Sequence, residues 1–206
     1  MEKLFITGIG TDVGKTLVSA ILTEALQADY WKPVQAGLEP TTDAATVRSL
    51  VQNPVSRFWP ERHRLQLPAS PHAAAAAEGL TIRPTDFELP QTNNHLLVEG
   101  AGGLLVPLAP GFLLADLAQQ FDLDVVVVSR NYLGSINHTL LTLEALLARG
   151  LRVRGLVFNG APIPATENFI REHTGVALMP RLLPEPEVSP AVVSRYAAEF
   201  RAWFAS

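Results

Sequence analysis

Residues 5–20 read FITGIGTDVGKTLVSA. An apolar run enters a loop carrying glycines at Gly8, Gly10 and Gly14, and Gly-Lys-Thr then opens a stretch with helical periodicity. That is a strand, a phosphate-sized loop and a helix start in succession. Glycines let backbone N–H groups converge on an anion, and the helix contributes its positive end. Lys15 places a fixed charge near the outer phosphates, and the Thr16 hydroxyl is a ligand for Mg²⁺. The spacing departs from the usual G-x-x-x-x-G-K-[ST], since counting back from Gly14 reaches Ile9. One extra residue keeps the cradle, because amides rather than side chains hold the phosphates. The plain alternative is a glycine turn whose lysine and threonine merely begin a helix.

Working outward, short apolar runs recur: KLFITG, DYWKPV, HLLVEG, DVVVVS, RGLVFNG and VALMP. They are continuous rather than alternating, as expected of strands covered on both faces. Lys15 to Gln27 carries Leu17, Val18, Ile21, Leu22, Ala25 and Leu26 on one stripe, and Ser135–Ala148 and Pro190–Phe204 repeat the pattern. The predicted fold is α/β: a three-layer P-loop NTPase-like domain over residues 1–206, its mostly parallel sheet covered by helices on both faces. The segment NPVSRFWPERHRLQLPASP is read as a long loop, and HAAAAAEG after Pro71 as a short helix.

Composition sets bounds. The chain has 206 residues, 48% hydrophobic and 17% charged, which suits one domain with a sizeable core. A net charge of −4 without a basic block argues against nucleic acid or an anionic membrane as partner. With no cysteine, disulfides, thiolate metal sites and cysteine nucleophiles are excluded together. No run reaches membrane-spanning length, so a soluble cytoplasmic protein is expected.

A triphosphate site needs a hard cation with oxygen ligands. Besides Thr16, Asp43 in TTDAATV and Glu99 in LLVEGAGGLLVP are the candidates. Glu99 follows the apolar run Leu96, Leu97 and Val98 and is expected at a strand's carboxyl end, where ligands gather in open α/β sheets, with a glycine-rich turn after it. Asp43 reads equally as a helix N-cap. Lys32, at a strand end stopped by Pro33, offers a second cation for transfer of a phosphoryl group to an acidic acceptor. Asn159 pairs a donor with an acceptor, which suits a purine edge, or simply forms an Asn-Gly turn. Ser135 or Asn137 reads as the cap of a helix whose N-terminal amides can hold a carboxylate. His72 and His138 are expected to be buried structural histidines. Trp31, Trp59 and Trp203 are expected in or over the core.

In order along the chain, GIGTDVGKT, YWKPVQAG, TTD, SPH, LVEGAGGLLVP, YLGSINHTLLT and FNG resemble the dethiobiotin synthetase family, over nearly the whole chain to about Glu187. The longer loop spacing is that family's normal form. The resemblance implies ATP- and Mg²⁺-dependent carboxylation and ring closure of 7,8-diaminononanoate with CO₂, through a carbamate and its mixed anhydride with phosphate. By position, Asp12, Val13, Gly14, Lys15, Thr16 and Leu17 hold the phosphates. Thr16, Asp43 and Glu99 organise Mg²⁺, and Lys32 matches the catalytic lysine. Glu99, Gly100, Ala101 and Gly102 line the nucleotide and substrate side. Asn159, Gly160, Pro180, Arg181, Leu182 and Glu187 surround adenine. Ala36, Gly134, Ser135 and Asn137 fall at substrate positions, the last three reaching a neighbouring subunit's site, which implies a homodimer. The family usually has Ser or Thr where this chain has Ala36, so one hydroxyl contact is missing.

Two other readings remain open on the residues. A partition-type switch ATPase carries K-G-G-x-G-K-T, but the early lysine's position here is Gly10. A related amidating or carboxylating ligase acting on another acid would share most of these groups.

Overall fold

The computed structural model describes residues 1–206. The strands are β1 (Lys3–Gly8), β2 (Asp29–Trp31), β3 (Val34–Ala36), β4 (Phe58–Trp59), β5 (His63–Leu65), β6 (Leu96–Gly103), β7 (Pro107–Ala109), β8 (Phe112–Leu113), β9 (Asp124–Arg130) and β10 (Val153–Asn159). The α-helices are α1 (Lys15–Leu26), α2 (Asp43–Leu50), α3 (Pro71–Ala77), α4 (Leu114–Gln120), α5 (Ser135–Ala148), α6 (Pro164–Thr174) and α7 (Pro190–Ala205).

Six strands form one parallel sheet in the order β10-β9-β1-β6-β2-β4. The alternation of side chains along β1 explains why its run is apolar throughout. Leu4 and Ile6 pack with Val18, Ile21 and Leu22 of α1, whereas Phe5 packs on the opposite face with Leu114 and Leu117 of α4 and Leu146 of α5. Helices α1, α2 and α7 cover the first face; α3, α4, α5 and α6 contribute to the second. The P-loop three-layer arrangement expected from the sequence is therefore present. Because β1 pairs with β6 on one side and β9 on the other, a crevice opens beyond its carboxyl end. No helix is long and apolar enough to cross a membrane.

Several local expectations need correction. DYWKPV is not one strand: β2 stops at Trp31 and β3 pairs with β5 in a separate two-stranded sheet. Pro33 has no N–H to continue the ladder. The presumed long loop holds β4 and β5, which are too short to show a period in sequence. The glycines after Glu99 are strand, not turn, since β6 runs on to Gly103. VALMP forms only one isolated bridge, Leu178 with Leu156, and a second, Leu182 with Asn159, follows just beyond it. Asp43 is not the cap of α2; Thr42 is, its hydroxyl accepting from the Ala45 N–H at 3.2 Å. Neither Ser135 nor Asn137 caps α5, whose N-cap is the left-handed Gly134. His72 and His138 are exposed, bonded respectively to Ser70 and Tyr132.

Candidate active site

The loop between β1 and α1 is shaped by two tight approaches. A Cβ on Gly8 would lie 2.5 Å from Val13 Cγ2. One on Gly14, whose φ is +102°, would lie 2.2 Å from Asn159 Nδ2. Asp12 is also left-handed, at φ 56°, and alternation of hands along a loop turns successive N–H groups inward as an anion cradle. Lys15 Nζ donates to the Gly10 carbonyl at 2.9 Å, so its stem arches back across that cradle.

Register delivers the remaining charges. Tyr30 stands opposite Leu97 and Trp31 opposite Val98, while Ile6 stands opposite Glu99. Side chains two residues apart share a face, so Glu99 emerges on the α1 side of the sheet, beneath Thr16. The Thr16 hydroxyl lies 2.8 Å from Asp43 Oδ1 and 3.1 Å from Glu99 Oε1, and its single proton serves one of them at a time. Lys32 Nζ lies 2.7 Å from Asp43 Oδ2 and 3.1 Å from Glu99 Oε1, and donates to the Gly100 carbonyl at 3.2 Å. Glu99 is 1% exposed and Lys32 2% exposed. A buried carboxylate and ammonium at this depth persist only through such pairing.

The ionisation states follow. Burial acts to lower the Lys32 pKa, but the Glu99 and Asp43 carboxylates outweigh it and hold the ammonium above its usual range. Burial likewise acts to raise Asp43, yet Lys32 and Thr16 hold its carboxyl below the usual aspartate range. Lys15 is pushed down, chiefly by burial, with Glu99 opposing and Lys32 adding to the effect.

A cavity of about 660 Å³ joins these groups, within the usual range for small-molecule sites. Asp12, Gly14, Lys15, Thr16, Lys32, Ala36, Asp43, Glu99, Ala101 and Gly102 all line it. Of the other predicted phosphate-side residues, Val13 is buried, and Gly100 contributes its carbonyl to Lys32. Leu17 packs against the core on the α1 side.

Of the predicted purine residues, Asn159 touches the loop, while Gly160, next to it in the chain, is bonded to Arg181 and Leu182. Asn159 Nδ2 donates to the Val13 carbonyl at 2.9 Å, which ties β10 to the phosphate loop and leaves Oδ1 as an acceptor. Gly160 N–H donates to the Leu182 carbonyl at 2.7 Å, and Arg181 Nη1 to the Gly160 carbonyl at 2.9 Å. Arg181 is also paired with Glu167, so its guanidinium builds the wall rather than standing free. Pro180 is half-buried beside it, and Glu187 is exposed without a protein partner. Gly134, Ser135 and Asn137, at the start of α5, are not among the residues lining the cavity.

Sequence reasoning missed Gln35 and Tyr30. Gln35 Oε1 accepts from the Asp43 N–H at 3.1 Å while Nε2 donates to the Gly37 carbonyl at 3.0 Å, so it anchors the start of α2. Tyr30 donates its phenol proton to Glu99 Oε2 at 2.9 Å. The signal for Tyr30 was its place two residues before Lys32, on the same face.

The donor set fits Mg²⁺. Asp43 and Glu99 present hard carboxylate oxygens around one hydroxyl, and nowhere do three or more His, Cys, Asp or Glu side chains converge. Mg²⁺ takes one or two carboxylates and completes its shell with water and phosphate oxygens.

A family profile described as an AAA domain matches residues 2–192. A Cytophaga hutchinsonii protein named ATP-dependent dethiobiotin synthetase BioD is 52% identical over 99% of this chain and 100% of its own. Proteins of the same name from Christiangramia forsetii and Rhizorhabdus wittichii are 49% and 46% identical, covering 97% and 98% of this chain and 96% of each of theirs. Among solved structures, a ParA family ATPase from Chlorobium tepidum superposes with a TM-score of 0.59 at 11% identity, covering 100% of this chain and 98% of that one. The Pyrococcus furiosus cell-division ATPase MinD gives 0.58 at 14% identity, over 98% of this chain and 100% of its own. At that identity the likeness is one of fold.

Proposed function

The chain belongs to the ATP-dependent dethiobiotin synthetase family, and from that premise we propose how its site performs the reaction. It is an ATP-dependent ligase forming C–N bonds, and its product is dethiobiotin, in biotin biosynthesis. The substrate in our reading is 7,8-diaminononanoate. One amine adds to CO₂ and loses a proton, giving a carbamate. A carbamate oxygen attacks the γ-phosphorus of ATP and the bond to ADP breaks. The second amine then attacks the carbonyl carbon of the mixed anhydride, and the ring closes as phosphate leaves.

The observation that carries this reading is the cluster at the mouth of the phosphate loop in which buried Lys32 and Glu99 meet half-buried Asp43 and Thr16. Amides from Asp12 to Leu17 cradle the phosphates, and Lys15 exchanges the Gly10 carbonyl for the outer phosphate oxygens. Thr16, Asp43 and Glu99 would hold Mg²⁺, which neutralises charge on the terminal phosphates when bound. Lys32 is already raised toward its cationic form beside these groups. It exchanges the carboxylates for carbamate and γ-phosphate oxygens, offsetting charge that builds between donor and acceptor. Glu99, Gly100, Ala101 and Gly102 border nucleotide and substrate. Asn159 Oδ1 accepts from the adenine amino group, with Gly160, Pro180, Arg181, Leu182 and Glu187 around the ring. At Ala36 a backbone group replaces the absent hydroxyl.

A second copy of the chain completes the proposed site. Half-exposed Leu105 and Leu141 line a groove that shares Thr11 with the main cavity. Burying these leucines against a twin would bring Gly134, Ser135 and Asn137 of one copy toward the substrate carboxylate of the other. Sedimentation should show a dimer that Leu141→Glu dissociates; a monomeric wild type would end this part.

The chemistry is tested by oxygen transfer. With ¹⁸O-labelled bicarbonate and brief reaction times, one ¹⁸O should appear in the released phosphate. Unlabelled phosphate alongside labelled dethiobiotin would rule out phosphorylation of the carbamate.

A further inference from the structure

We propose that Tyr30 is a positioning residue for the metal-binding carboxylate, its phenol engaging one oxygen of Glu99 so that the other faces Thr16 and Lys32. This inference rests on the metal role given above to Glu99. The two oxygens of Glu99 have separate partners. Oε1 receives Thr16 and Lys32 at 3.1 Å each, while Oε2 receives only the Tyr30 hydroxyl, at 2.9 Å. Tyr30 in turn has no side-chain hydrogen bond except this one.

Both partners are sealed from water, Tyr30 at 0% and Glu99 at 1% exposure. A buried hydroxyl and a buried carboxylate oxygen each cost free energy when unpaired, so each fixes the other. The ring cannot swing aside. Its strand is held between β6 and β4, and the ring packs on Phe58 with centroids 6.0 Å apart. A phenol is protonated at neutral pH, so the group is a donor to the carboxylate.

Without the hydroxyl, Oε2 would be a bare anionic oxygen in an apolar pocket. The carboxylate would relieve this by rotating both oxygens toward the donors on the loop side. That rotation would grip Lys32 more tightly and withdraw the metal ligand from its setting. Partners standing behind a ligand typically account for about 10- to 100-fold in metal affinity.

The test uses the full chain bound to a non-hydrolysable ATP analogue, with Mn²⁺ titrated by electron paramagnetic resonance. Tyr30→Phe should weaken Mn²⁺ binding about 10- to 100-fold, with metal-free nucleotide affinity unchanged. Leu117→Ala, a core change on the opposite face of the sheet, should lower thermal stability and leave Mn²⁺ affinity as in the wild type. Glu99→Gln should weaken Mn²⁺ binding at least as much as Tyr30→Phe. Wild-type Mn²⁺ affinity in Tyr30→Phe overturns the positioning role, whereas wild-type affinity in Glu99→Gln overturns the metal role of Glu99 itself.

A second measurement needs no variant of Tyr30. The chain has three tyrosines, so ¹³Cζ-labelled wild type gives a Tyr30 signal assignable by exclusion with Tyr132→Phe and Tyr196→Phe. That signal should shift when Mg²⁺ joins the nucleotide complex and stay fixed when nucleotide binds without metal. A signal indifferent to Mg²⁺ overturns the proposal.

Discussion

Replacing Lys32 by methionine removes a charge from the site while nearly keeping the side chain's volume. In the protein Lys32 is 2% exposed, and its ammonium sits between Asp43 and Glu99, at 2.7 and 3.1 Å. Removing one member of a buried ion pair costs about 3–5 kcal/mol, because the partner is left uncompensated. Asp43 keeps a side-chain exposure of 34%, so water screens part of its charge and the lower end, about 3 kcal/mol, applies. For a chain of this length that corresponds to a fall of roughly 6–12 °C in Tm. Two unneutralised carboxylates should also attract a divalent cation, so Mg²⁺ should raise the variant's Tm more than the wild type's. ATP affinity should stay near wild type, since Lys15 and the loop amides are untouched. Phosphoryl transfer in single turnover should fall about 10²- to 10³-fold, the usual loss for one transition-state charge contact. A Tm within 1 °C of wild type, roughly a third of a kcal/mol by the same scaling, would refute the electrostatic argument. Unimpaired turnover would remove Lys32 from the mechanism.

Three further outcomes are expected. Gly14→Ala forces a left-handed residue at φ +102° and puts a Cβ 2.2 Å from Asn159 Nδ2; strain of about 1–3 kcal/mol should lower Tm by several degrees and weaken ATP, as read by calorimetry. Ala36→Ser restores a hydroxyl on the cavity wall, and the diamine KM should fall about 2- to 10-fold at constant kcat, one hydrogen bond's worth. The Asp43 carboxyl is held below its usual range, mainly by Lys32 against the opposing effect of burial. Its stabilisation is therefore present above the unfolded aspartate pKa and lost as pH falls through the lower folded value. Thermal melts from pH 5 downward should thus show wild type losing more Tm than Asp43→Asn; parallel curves would contradict the shift.

What could be read from the sequence was local. Gly8 to Thr16 joined strand to helix within one short stretch, and the runs of β1, β6, β9 and β10 were continuously apolar because both faces are covered. The missing parts depend on long-range pairing. Glu99 reaches Thr16 only through the register of β1 with β6, and Phe58–Trp59 becomes a strand only by pairing with β2. Asp43 read equally as the cap of α2, and that Thr42 takes this place instead is visible only once Asp43 is seen drawn to Lys32. Tyr30 was missed because its phenol meets a partner sixty-nine positions away. Arg181 was placed beside adenine by resemblance, and no local pattern shows its pairing with Glu167, fourteen positions away.

The most direct test is a crystal structure with the diamine, CO₂, Mn²⁺ and a non-hydrolysable ATP analogue. The account predicts the triphosphate along Gly8 to Thr16 and an anomalous Mn²⁺ peak among Thr16, Asp43 and Glu99. Lys32 should then have left those carboxylates for the carbamate and terminal phosphate. A metal peak elsewhere, or Lys32 still held by Asp43 and Glu99 with both substrates bound, would contradict it.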